Sequence, residues 1–145
     1  MAEQQLALKR NLFLLLAIGG GLFVIAQATG FFFGYGSWRA WWFANALHTS
    51  GGALAFFLVR AIFFLTMRYH DTRTAWWMEL LFFVAGAIAL GVFWEWYELV
   101  IDRYRVFIAG LPSLMTYADS IGDLAFDTLG ALLAAYFFQI CRRNV

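Results

Sequence analysis

Apolar residues along this chain gather into four long blocks, at about 12–34, 41–66, 77–101 and 120–140, separated by polar links. Each block is long enough to cross ~30 Å of hydrocarbon, which takes about 20 helical residues. The pattern predicts an all-α fold, an integral membrane four-helix bundle with one membrane domain over residues 1–145. Aromatic residues at the block ends fit an interfacial belt. Tyr35, Trp38, Trp41 and Trp42 mark one side, and Trp76 and Trp77 the other. The links at 35–40 and 67–76 are short enough for antiparallel hairpins. The third, from about 102 to 119, holds Pro112 among Val106, Phe107, Ile108, Leu111, Leu114 and Met115. That much apolar surface predicts a segment lying on the membrane or packed on the helices.

Basic residues orient the bundle. With both termini cytoplasmic, the inner face receives Lys9, Arg10, Arg68, Arg73, Arg142 and Arg143, and the outer face Arg39, Arg103 and Arg105. Six against three favours this orientation by the positive-inside rule. The first block has a second reading. Lys9 and Arg10, an apolar run and Ala26-Gln27-Ala28 resemble a signal peptide with its cleavage site. The apolar run continues through Gly30-Phe31-Phe32-Phe33, which favours a membrane helix.

Composition agrees with the blocks and excludes some functions. Hydrophobic residues make up 63% of the chain, against ~45–50% in soluble domains. A net charge of +1 gives no basic surface for nucleic acid. Cys141 is the single cysteine, which rules out an internal disulfide and a multi-cysteine metal site.

The candidate chemistry lies in the polar residues inside the blocks. An ionisable group in hydrocarbon costs ~2.5–3.5 kcal/mol on insertion scales, so clustered ones mark a functional site. Glu95, Glu98 and Asp102 stand at i, i+3 and i+7, on one face of helix 3. Asp119, Asp123 and Asp127 step by four and share a face of helix 4. His48 on helix 2, Glu95 and Asp127 all fall roughly 10 Å below the outer boundary at 1.5 Å per residue. Asn45, Thr49 and Ser50 surround His48, and Gln27 lies at a comparable depth. Gly51-Gly52, and on helix 4 Gly130, Ala131, Ala134 and Ala135, permit close helix approach.

Carboxylates gathered at one depth need compensation from protons, basic partners or a bound cation. A divalent metal ion held by His48, Glu95, Glu98, Asp123 and Asp127 would supply it, with Asp102 and Asp119 at the rim. Hard cations take oxygen ligands, and histidine with carboxylates also suits manganese, iron or zinc. A proton-sharing transport site and a purely structural polar network are the competing readings. Arg60 and Glu79, near the other boundary, are expected to form a structural ion pair, or Arg60 to snorkel to the headgroups. His70 beside Asp71 reads as solvated polarity.

Trp94-Glu95-Trp96-Tyr97-Glu98, followed by Asp119-Ser120-Ile121-Gly122-Asp123 and then Asp127-Thr128-Leu129-Gly130-Ala131, resembles the signature of the YjdF-type inner-membrane proteins. These are small relatives of the VanZ-like superfamily. Ala46-Leu47-His48 with Gly51-Gly52 resembles that family's histidine-glycine segment, so the resemblance covers about residues 44 to 135. It implies a compact multi-helix inner-membrane protein of uncharacterised activity. No H-E-x-x-H zinc motif is present, nor a serine or cysteine nucleophile paired with a second deep histidine. The acidic run of helix 4 is similar to that of the CDP-alcohol phosphotransferases, but their Asp-Gly-x-x-Ala-Arg element is absent.

Three functions fit a multi-pass inner-membrane protein of this kind, with membrane lipids as partners. The first is an outward-facing site that binds a divalent cation and a lipid-linked or envelope-precursor ligand. In an enzyme, Glu95, Glu98, Asp123 and Asp127 would be its catalytic carboxylates. The second is a small proton- or cation-coupled transporter. The third is a non-catalytic envelope or lipid-binding protein.

Overall fold

The computed structural model describes residues 2–33, 38–66 and 76–143. Tyr35, Arg68, His70, Asp71 and Arg73, and the side chains of Gln27, Trp38, Arg39 and Arg143, lie outside the described residues. Four helices follow in order: α1 (Ala2–Phe33), α2 (Trp38–Thr66), α3 (Trp76–Ala109) and α4 (Tyr117–Arg143). All four are long and apolar enough to cross a membrane. Their outer faces present Phe13, Phe93, Trp96, Val100, Leu132 and Phe137, side chains that hydrocarbon solvates and water does not. Helices also satisfy their own backbone hydrogen bonds, as a lipid-exposed segment must. The chain is an all-α, multi-pass membrane protein.

Glycine and alanine set the packing. A Cβ on Gly52 would overlap the backbone carbonyl of Asp127, and one on Gly130 would overlap that of Thr49. The α2 and α4 backbones therefore touch, and the crossed order of these pairs makes the helices antiparallel. Gly86 faces Val59 and Gly91 faces Asp127, which brings α3 against both. Close backbone approach of this kind is how membrane helices gain van der Waals contact without a hydrophobic driving force. The core lies along the same seams: Phe56, Phe83, Ala87, Ala131, Ala134 and Ala135 are buried together. Phe56 and Phe83 meet edge to face at 5.9 Å, a favoured aromatic geometry.

The third link is shorter than the sequence suggests. Nothing between Asp102 and Ala109 breaks a helix, so α3 runs on until Gly110, whose φ of 64° is left-handed. Leu111 N–H closes the last turn on the Arg105 carbonyl at 3.3 Å, and Pro112 prevents resumption. Val106, Phe107 and Ile108 thus belong to α3 and not to a membrane-lying loop. Thr116 caps α4, its hydroxyl accepting from Asp119 N–H at 3.1 Å. Only residues 110–116 remain non-helical in that connection.

Candidate functional site

The helical period brings Phe83, Ala87, Gly91, Glu95 and Asp102 to the buried face of α3. Asp123 and Asp127 occupy the buried face of α4. Opposite both, α2 presents His48. His48, Glu95, Glu98 and Asp123 each offer one ligand atom, and these four atoms lie within 4.8 Å of one another. Ligands on opposite sides of one small ion at 2.0–2.2 Å stand up to about 4.4 Å apart. The four groups can therefore chelate a divalent metal ion with little movement.

His48 lies between two carboxylates. Its Nε2 stands 3.5 Å from Asp123 Oδ2 and its Nδ1 3.3 Å from Asp127 Oδ1. Asp127 thus sits behind the imidazole, outside the four-residue group, where a carboxylate fixes ring orientation. Gly91 makes room for it: a Cβ there would meet Asp127 Oδ2 at 2.8 Å. Glu95 is 6% exposed, and neither of its carboxylate oxygens has a hydrogen-bond partner. Asp127 Oδ2 and Asn45 Nδ2 are likewise buried without one. Buried polar groups normally are paired, so the Glu95 and Asp127 oxygens, in the cluster and in the cavity lining, point to a further occupant.

The two residues expected at the rim both line the adjoining cavity and differ in their exposure. Asp119 is exposed and lines the adjoining cavity. Asp102, expected in contact with water, is instead 4% exposed. It accepts from Ser113 Oγ at 2.6 Å and Leu114 N–H at 2.8 Å, so it ties the 110–116 link to α3. The reason is the extension of α3, which carries Asp102 under the link and not into it.

At the far end, Glu79 acts on its expected partner Arg60 and also meets a second basic side chain. Glu79 Oε2 meets Arg142 Nη1 at 3.3 Å. Arg60 lies over the rings of Phe64 and Phe138, 4.9 and 4.3 Å from their centroids. Glu79 and Arg142 both act on its charge. Sequence reasoning leaves out Arg142 as a partner because it counts this arginine only as an inner-face charge. It also misses Gly91, although a glycine one turn before Glu95 on the same face is a usable signal.

The profile of one family, described as Predicted membrane protein (DUF2238), matches residues 3–144. No curated protein matches the chain, and no solved structure matches it.

Proposed function

The chain belongs to the DUF2238 family of predicted membrane proteins, and we propose that its His48–Glu95–Glu98–Asp123 cluster binds a divalent cation that engages a lipid-linked or envelope-precursor ligand. Within the family, the paired acidic motifs support the narrower reading of a YjdF-type, VanZ-like inner-membrane protein. The Lys and Arg distribution supports cytoplasmic termini and an outward-facing site.

One observation carries the ion reading: both oxygens of a buried Glu95 lack a partner beside three other ligand-bearing side chains. Three carboxylates and one imidazole are a hard donor set with a single nitrogen, suited to manganese, iron or zinc. Asp127 engages Nδ1 of His48, which leaves Nε2, on the Asp123 side, to face the ion. Glu95, Glu98 and Asp123 supply its oxygens. When bound, such an ion would polarise an oxygen of the ligand or activate water. Glu98 is half-buried and lines the cavity, so an ion it holds would face a ligand there.

Metal analysis of detergent-solubilised protein, followed by Mn²⁺ and Zn²⁺ titration, tests this. We expect one ion per chain, and Glu95→Gln to weaken it at least tenfold while the helices stay assembled. A wild-type protein that binds neither ion would overturn the reading and leave a structural polar network in its place.

A further inference from the structure

The cavity beside the cluster, about 560 Å³ in volume, has two unlike ends. One end carries the acidic groups, with His48 and Arg105. The other is walled by Gly19, Leu22, Leu54, Ala55, Ala87 and Leu90. From Asp102 to Ala87 along α3 the lining covers roughly 22 Å at 1.5 Å per residue. An acidic head region thus continues into a long apolar arm.

Charge selects the kind of head. Glu98, Asp102, Asp119, Asp123 and Asp127 line the cavity, and Glu95 completes the cluster. Against these six carboxyl groups stand, among the described residues, one arginine and one histidine. A divalent ion adds two positive charges. Even so, acidic side chains outnumber these positive groups among the described residues, a balance complementary to a cationic head and not to an anionic one. Asp127, 6% exposed and lining this space, keeps an unpartnered Oδ2. Aromatic rings stand between head and arm: Phe23 packs on Trp94 at 5.9 Å and on Tyr97 at 6.3 Å. Such rings attract organic cations.

Access comes from the side. Among the described residues, α1 packs its backbone closely against α2 alone. It reaches α3 through side chains such as Phe23. The α1–α3 seam is therefore closed by side chains, which change rotamer far more easily than helices separate.

We propose that this cavity takes an amphiphile with an amine head from the bilayer, its ammonium group among the carboxylates and its hydrocarbon chain in the arm between α1, α2 and α3. This goes beyond the ion-site reading and rests on it only for the shared cavity: the ammonium group meets carboxylates and not the ion.

The test uses the full chain in dodecyl maltoside, with dodecylammonium and dodecyl phosphate as probes of equal chain length. Binding is read by native mass spectrometry, and Mn²⁺ is titrated in parallel. Dodecylammonium should bind at least tenfold more tightly than dodecyl phosphate. Leu22→Trp, which fills the arm from α1, should weaken it at least fivefold and leave Mn²⁺ binding unchanged. Asp119→Asn, at an exposed position, should also weaken it and decides the matter if the tryptophan variant does not assemble. Equal or tighter binding of the phosphate, or indifference of dodecylammonium to both substitutions, overturns the proposal. Mn²⁺ binding without ammonium binding sinks it while sparing the ion site. Ammonium binding without Mn²⁺ does the reverse.

Discussion

Gly52 of α2 lies so close to Asp127 of α4 that a Cβ at position 52 would overlap the Asp127 backbone carbonyl. The contact that joins the two helices is thus made at the residue that flanks His48, and packing and site share one seam. Gly52→Ala should cost about 1–3 kcal/mol by overpacking and disturb ion binding as well. A Cβ on Gly20 would meet nothing within 4 Å, so Gly20→Ala should be neutral or gain ~0.5–1 kcal/mol of helix stability. Thermal unfolding in detergent, followed by circular dichroism, compares them. Equal destabilisation by both would show that the α2–α4 seam has no special role.

Asp127 should act through His48 and not as a primary ligand. Asp127→Asn keeps the shape but weakens the acceptor at Nδ1, so ion affinity should fall about 10–100-fold, the usual effect of losing an orienting partner. Asp123→Asn, which removes a ligand charge, should cost more. Titration of both variants against the wild type ranks them, and the opposite order would reassign the two aspartates.

Asp102 should behave as a latch. Its carboxylate accepts two hydrogen bonds from the 110–116 link, charge-assisted contacts that hold the link on α3. Asp102→Ala should speed amide exchange and proteolysis within that link and leave ion affinity within a fewfold of wild type. Loss of ion binding with an unchanged link would instead make Asp102 part of the site.

Arg60 is expected to depend on its rings more than on Glu79. Phe138→Leu should remove a cation–π contact worth ~0.5–2 kcal/mol. The Glu79–Arg142 pair, with Arg142 more than half exposed, should show a coupling under about 1 kcal/mol in a double-mutant cycle. A larger coupling between Arg60 and Glu79 than between either of these pairs would restore the simple two-residue ion pair.

Topology can be read directly. Reporter fusions at residue 70 and at the C-terminus should both indicate cytoplasm, and one within 110–116 the outer side, following the excess of Lys and Arg on the inner links. A C-terminal reporter on the outer side would reverse the facing of the site.

Much of this protein is legible from local rules. Block length and apolarity set four helices, because hydrocarbon thickness and helical rise are constants. The 3.6-residue period alone puts Glu95 and Asp102 on one face of α3, and Asp123 and Asp127 on one face of α4. What depends on relations between helices is not legible. Which nitrogen of His48 meets which aspartate depends on the α2–α4 approach, itself decided by backbone contact at Gly52 and Gly130. Whether Asp102 meets water or a loop depends on how far α3 continues, and the stop lies at Gly110, eight residues on. Arg142 takes Glu79 because α4 returns beside the start of α3, a distance of 63 residues along the chain. Periodicity says which way a side chain points from its own helix, and only packing decides what it meets there.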